Sequence, residues 1–509
     1  METSKFLKQY NYAIIITVLF ISIAIIAEIF RYTHYESGTF DLGIFAQMIK
    51  NTANGIFSPS SFPLYENVIG ISQFAEHFSP ILLILVPLYK IFSSPIMLLV
   101  VQAIMIGFGG FLVYYLARMF KLSHKVSLFV DILFFVNPLV WSLVLFDFHE
   151  LCFAVPLILL MFVGYFKKNW WIFGIGLGLA LMVKEDVIAT IGILGIILLI
   201  SEWIKNKRKI EKNKVNRYAI VMVCSAFIVG IIAVTISAIL SKGSSPLMLS
   251  IFFSRYSSGN TSIVSTVIFY VRHTLDIYSI EQVIAYFAPL CFLPFVCVES
   301  TEWSIPALFI LGMVTISTWN GQHNFINQYG ATAVPYLFIA MIIGMTQINI
   351  NIGKNWKKFA MVSTVSMVII FLLTSLTGIN KIIFSNFDNN YKVASHDLNQ
   401  IINNIPKGKN DNSISVTGNN LVFPHLISKY NAYASETQFG INSSIFGYPQ
   451  TITNYVITDT NSLIAQNYTL TLTSKEQYNW DELESKELSQ DSRYKLIDSI
   501  NGVSLWKLE

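Results

Sequence analysis

Residues 12–50 read YAIIITVLFISIAIIAEIFRYTHYESGTFDLGIFAQMIK. The run from Tyr12 to Phe30 is predominantly apolar, and as a helix it is long enough to cross the ~30 Å hydrocarbon core of a bilayer. Lys5 and Lys8 precede it, as in a secretory signal, but the run exceeds the usual hydrophobic region and no small-x-small cleavage site follows. It is expected to remain as an anchor. Beyond Phe30 the chain turns polar, and Asp41 arrives in GTFDLGIFAQMI, residues 38–49, flanked by Phe40, Ile44 and Phe45, with Gly38 and Gly43 allowing tight backbone. A carboxylate in such a setting can be partly desolvated and act as a base. The plainer reading of the same residue is an N-cap for a short helix from Leu42 to Lys50.

The rest of the chain follows this lead. Of 509 residues, 54% are hydrophobic and 13% charged, about half the charge content of an ordinary soluble domain, which excludes a soluble globular protein. A net charge of +4, with no compact basic cluster interleaved with aromatics, excludes an electrostatic nucleic-acid binder. Cys152, Cys224, Cys291 and Cys297 lie in apolar runs, so no disulfide framework or CxxC zinc site is marked.

Eleven spanning helices are expected, near 12–30, 95–117, 126–144, 151–166, 170–187, 187–203, 218–240, 282–298, 305–320, 329–347 and 359–379. Phe78 to Phe92 is short and carries Pro80 and Pro87, so it reads as a helix at the interface. With the N-terminus cytoplasmic, seventeen lysines and arginines fall inside, among them the run Lys205 to Arg217, and seven fall outside or at the outer edge. That asymmetry obeys the positive-inside rule and places 31–77 and the C-terminal tail outside the cytoplasm. The sequons at Asn260, Asn442 and Asn467 fall on that same side.

The chain therefore divides into a membrane bundle, 1–380, with a large first outer loop, 31–77, and a polar tail, 381–509. The tail reads as a small extracytoplasmic α/β domain. Leu398, Ile401, Ile402 and Ile405 repeat at helical spacing after Ser395, a candidate N-cap, and before Pro406. Ser413 to Thr417 and Tyr455 to Thr458 are strand-like, and Asn501-Gly502 centres a hairpin from Tyr494 to Leu508.

Ionisable residues beside a membrane are costly and mark functional candidates. Three outer segments collect them: Glu76-His77 in the first loop, FDFHE at 146–150, and KED at 184–186. Asp147, His149 and Glu150 together could bind a divalent metal ion or sugar hydroxyls, and a polar helix-end turn is the bland alternative. Lys184 could hold a phosphate as a point charge, or simply pair with Glu185 or Asp186 at a helix end. Glu76-His77 could equally cap an interfacial helix, and Arg255 is either a phosphate ligand or a snorkelling cation. GxxxxGK[ST], HExxH and GxSxG are missing, so nucleotide hydrolysis, zincin protease and serine hydrolase chemistry have no support.

FDLGIFAQMI, EHFSPILLILVPLYKIF at 76–92, FDFHE, KED, QYGATAVPYLFIA at 328–340 and NNLVFPHLISKY at 419–430 resemble a prokaryotic family of predicted membrane proteins, domain of unknown function 2079. The layout is also distantly similar to the GT-C class of membrane glycosyltransferases, which use sugars linked to polyprenyl phosphate. In that class a catalytic Asp follows the first helix, and Asp41 matches its place. A second acidic residue in the next outer turn is matched by Asp147 or Glu150, and a later Lys-Gly at a helix end by Lys184-Glu185. His77-Phe78-Ser79-Pro80 takes the place of a lysine-proline-proline helix, without the lysine.

The resemblance implies a glycosyltransferase acting outside the cytoplasm on a polyprenyl-phosphate sugar donor, with a lipid, glycan or protein acceptor. Catalysis would fall to Asp41, Asp147 and Glu150, and substrate binding to Glu76, His77, His149, Lys184, Glu185 and Arg255. A lipid or solute transporter is the rival reading, and a membrane scaffold displaying the tail as a binding domain is the third. A transporter would carry ionisable groups near the midplane and commonly repeated halves, whereas here they sit at helix ends.

Overall fold

The structure is a computed structural model that describes residues 2–57, 72–207, 215–241, 246–259, 262–319, 321–323, 327–348, 355–376, 389–407, 413–419, 421–434, 453–459, 485–486 and 488–509. The sequons at Asn260, Asn442 and Asn467, and part of the Lys205 to Arg217 run, lie outside them. Helices dominate up to Leu376, and a small five-stranded sheet lies in the C-terminal part.

Among the described residues, five helices are long and apolar enough to cross a membrane: Tyr10–Thr33, Ile96–Met119, Glu185–Lys207, Arg217–Leu240 and Gln328–Gln347. A sixth exists if His124–Phe135 and Pro138–Leu145, bent by 43°, form one broken span. The bend has a local cause: Asn137 caps the second segment by accepting from the Leu139 amide, and Pro138 cannot donate back into the first.

The expected eleven spans are thus not reproduced by length and composition among the described residues. The runs at 151–166 and 170–187 give shorter helices, Leu151–Lys167 and Trp170–Ala180, which are packed backbone to backbone. A Cβ on Gly164 would come within 2.1 Å of the Phe173 nitrogen, and one on Gly176 within 2.4 Å of the Met161 nitrogen. The run at 282–298 is not one helix at all. Ile277–Phe287 ends before Cys291 and Phe292, whose φ values of 51° and 54° are left-handed, and Pro294 then sits in a 3₁₀ turn ahead of Val298–Ile316. The stretch left out as a span, 78–92, holds the short helix Pro80–Ile91.

The chain packs as two compact units. The first comprises Met1–Ile25, Phe74–Leu82 and Val101–Thr377, and the second Ile26–Gln73, Leu83–Val100 and Gly378–Glu509. The second unit holds the sheet, built from β1 (Ser415–Gly418), β2 (Asn431–Ala434), β3 (Tyr455–Asp459), β4 (Tyr494–Ile500) and β5 (Val503–Leu508) in the order β2-β1-β3-β5-β4. β1 pairs in parallel with β2 and β3, while β5 runs antiparallel to β3 and β4. Asn501 and Gly502, with φ of 48° and 91°, make the β4–β5 turn expected from their dipeptide. Leu398, Ile401 and Ile402 are buried on helix Asn389–Asn403. Ser395 is not its N-cap: it lies inside that helix, which starts six residues earlier.

Within the same unit, helix Ile44–Ala53 is tied to the C-terminal chain. The buried Lys50 ammonium donates to the Ile427 and Tyr430 carbonyls at 2.7 and 2.8 Å, and Gln47 donates to the Ala432 carbonyl at 3.0 Å. The His425 ring is stacked on both Tyr32 and Tyr35, with centroids 4.2 and 4.0 Å away. Gly43 is required where it stands, because a Cβ there would lie 2.8 Å from the Phe423 ring.

Candidate active site

Of the ionisable residues singled out in the sequence, those of Glu76-His77, FDFHE and KED lie in the first unit. FDFHE forms the turn between Pro138–Leu145 and Leu151–Lys167, and Lys184 immediately precedes Glu185–Lys207. Glu185 and Asp186 occupy the first turn of that helix, where the backbone dipole favours negative charge.

Lys184 is the hub. Its ammonium lies 2.9 Å from Glu150 Oε1 and 3.4 Å from His149 Nε2, and all three residues are buried. An ammonium can only donate, so His149 Nε2 faces it as an acceptor, while Nδ1 lies 3.1 Å from Glu150 Oε2 and 3.4 Å from the Leu151 amide nitrogen. The imidazole thus lies between a cation and an anion. Burial, and then the charge of Lys184, hold the His149 pKa well below the ordinary imidazole value. The cation facing Glu150 is therefore a lysine of the chain itself.

A second set surrounds it. His77 Nδ1 lies 2.6 Å from Glu185 Oε1, while the Phe78 amide donates to Glu185 Oε2 at 3.4 Å and the Ile81 amide to the Met182 carbonyl at 3.0 Å. These bonds fasten the segment after Glu76 to the KED turn. Glu76 is itself buried, and burial raises its carboxyl above the usual range despite the opposing charges of His77, Arg255 and Lys184. Arg255, at the end of helix Leu247–Ser254, spreads its guanidinium 4.5 Å from the Trp319 ring centre and 5.8 Å from that of Tyr329. Asp147 is buried in the FDFHE turn.

Asp41 belongs to the second unit, in a π-helical turn, Thr39–Gly43. Its capping reading is corrected: the following helix starts at Ile44, Gly43 holds the N-cap position, and no side chain caps it.

Gln102 and Thr332 were not anticipated. Gln102, fully buried in Ile96–Met119, donates to the Leu143 and Phe146 carbonyls and accepts from the His149 amide at 3.1 Å, so one side chain fixes the FDFHE turn. Thr332 donates to Asp186 Oδ2 at 2.8 Å. Its signal was available in QYGATA, a polar interruption of an apolar run. Gln102, a lone amide in a membrane-length helix, had only its polarity to mark it.

The helical bundle with a small C-terminal sheet has a counterpart among solved structures. The crystal structure of ArnT from Cupriavidus metallidurans bound to undecaprenyl phosphate is similar to this chain with a TM-score of 0.57 and 10% identity, covering 96% of this chain and 97% of that one. The sequence profile of the predicted membrane protein family DUF2079 matches residues 31–505, and the chain belongs to that family. No curated protein sequence matches it.

Proposed function

We propose that the protein is a membrane glycosyltransferase that takes a sugar from a polyprenyl-phosphate donor outside the cytoplasm and passes it to a lipid, glycan or protein acceptor. The observation that carries this reading is the likeness in fold, over nearly the whole of both chains, to a structure bound to undecaprenyl phosphate. The buried Lys184–His149–Glu150 group adds chemical support, since it keeps an ammonium at a helix start where an anionic headgroup could exchange with part of its carboxylate contact. In this reading the N-terminus is cytoplasmic, and residues 381–509 form an extracytoplasmic domain after the bundle.

The acceptor oxygen attacks the anomeric carbon, the bond from that carbon to the phosphate oxygen breaks, and polyprenyl phosphate leaves with the electron pair. Asp41 takes the acceptor proton, and a single in-line displacement inverts the anomeric centre. Lys184 and Arg255 stabilise the leaving phosphate; His77 and Glu185 position the segment after Glu76. Asp147, His149 and Glu150 orient the donor.

Asp41→Asn tests this assignment, because it keeps the size of the side chain and removes the proton acceptor. Transfer from a panel of radiolabelled hexosyl and pentosyl polyprenyl phosphates is expected to fall about 10²–10⁴-fold with donor binding retained. Near-normal turnover in the Asp41→Asn variant would remove Asp41 from the mechanism.

A further inference from the structure

His273, Asp276 and His323 bring one potential ligand atom each to within 4.8 Å of one another. In all three, the other polar atom is already committed. Asp276 Oδ1 accepts from the Ser279 amide at 2.8 Å as the cap of helix Ile277–Phe287. His323 Nδ1 lies 3.2 Å from the Val314 carbonyl, and His273 Nε2 lies 2.6 Å from the Ser317 carbonyl. Since carbonyl oxygens only accept, those two nitrogens carry the ring protons. The remaining lone pairs, His323 Nε2 and His273 Nδ1, then face Asp276 Oδ2 at 2.8 and 4.0 Å.

Acceptors converging on a carboxylate oxygen repel one another unless a cation joins them. The two rings are stacked with centroids 3.8 Å apart, which brings both ligand nitrogens to the same side of Asp276 Oδ2. A single divalent ion serves all three atoms. Histidines whose far nitrogen donates to a backbone carbonyl are the usual arrangement around a bound metal, since that contact fixes tautomer and orientation. The loop is held as well, with Gln282 donating to the His323 carbonyl at 2.8 Å.

We infer that His273, Asp276 and His323 form a binding site for a borderline divalent transition metal, best matched by Zn²⁺ with two imidazoles, one carboxylate and a fourth position for water or an anion. A cavity of about 520 Å³ lined by Ser265, Ile268, Phe269, Arg272, His273 and Asp276 gives access to two of the three ligands. Arg272 adds a cation suited to an anionic fourth ligand. The ion ties the connection between helices Ile263–Thr274 and Ile277–Phe287 to the segment after Ile316. The site stands independently of glycosyl transfer, and it was hidden in the sequence by the 47 positions that separate His323 from Asp276.

The full-length protein, purified in detergent, stripped with a chelator and dialysed, is titrated with Zn²⁺ and with Co²⁺. One ion per chain is expected, with the visible spectrum of low-coordinate Co²⁺. Replacing an inner ligand should weaken binding by more than the ~10–100-fold typical of an outer partner, so His273→Gln and His323→Gln should each exceed that loss and their combination should abolish binding. His396→Gln, at an exposed histidine elsewhere, should leave the titration unchanged. Asp276→Asn keeps an N-cap and therefore the helix start, and it too should lower affinity at least tenfold. No stoichiometric uptake by the wild type, or affinity unchanged in Asp276→Asn or the double histidine variant, would overturn the site.

Discussion

Glu150 has no exposed surface, and its charge is matched by Lys184 at 2.9 Å. Removing one partner of such a pair leaves an uncompensated buried charge, which costs about 3–5 kcal/mol. Glu150→Gln and Lys184→Gln are therefore each expected to lower the unfolding midpoint in detergent markedly, and Lys184→Met combined with Glu150→Met to recover most of the loss. Additive losses in the double variant would show that the two side chains act separately. His425 provides a pH test. Burial, aided by the Lys429 ammonium and opposed by a hydrogen bond with the Tyr32 backbone, pushes its pKa from 6.5 to about 3. Between those values the unfolded chain binds the proton that the folded chain refuses, so stability falls as pH falls, by about 1.4 kcal/mol per unit. His425→Phe should flatten the acid limb of the stability curve between about pH 6 and 4, and an unchanged limb would rule out His425 as its source. At this scale the sequence was informative wherever charge stood next to an apolar run, as in FDFHE and KED. It was silent on partners: only folding pairs Lys184 with Glu150 rather than with its neighbour Glu185.

Among the elements, the helical hairpin of Leu151–Lys167 and Trp170–Ala180 depends on glycines at the line of contact. Gly164→Ala would drive a methyl group into the Phe173 backbone, whereas a Cβ on Gly174 meets nothing within 4 Å. The first substitution is expected to lower stability by at least about 1–3 kcal/mol, and the second to be neutral or to raise it by up to roughly 1 kcal/mol through helix propensity. Thermal unfolding of the two variants side by side checks the pair, and equal effects would contradict the packing. The Asn501-Gly502 hairpin was legible because its chemistry is local and the two residues enforce their own backbone angles. The Ser395 cap was misread because a polar residue before an apolar repeat looks the same at a helix start and in the second turn of a longer helix. Asp41 failed as a cap for a related reason: the π-helical turn of Thr39–Gly43 moves the helix start past it, a geometry no residue pattern specifies.

For the whole molecule, composition pointed to a membrane protein, as the family match agrees, and the resemblance in layout pointed to a fold that ArnT shares. The number of spans was less legible, because hydropathy cannot distinguish a lipid-facing helix from one buried inside a bundle: Leu151–Lys167 is buried along almost its whole length. The proposed orientation is tested by impermeant thiol labelling of intact cells in a background without native cysteines, where Asn412→Cys should react and Asn206→Cys should not. The central claim is that this fold holds a polyprenyl phosphate, and native mass spectrometry of lipids retained by the purified full-length protein tests it most directly. The wild type is expected to carry one polyprenyl phosphate or its glycosylated form per chain, displaced by added undecaprenyl phosphate. Retention of bulk phospholipids alone, with no uptake of added undecaprenyl phosphate, would contradict it.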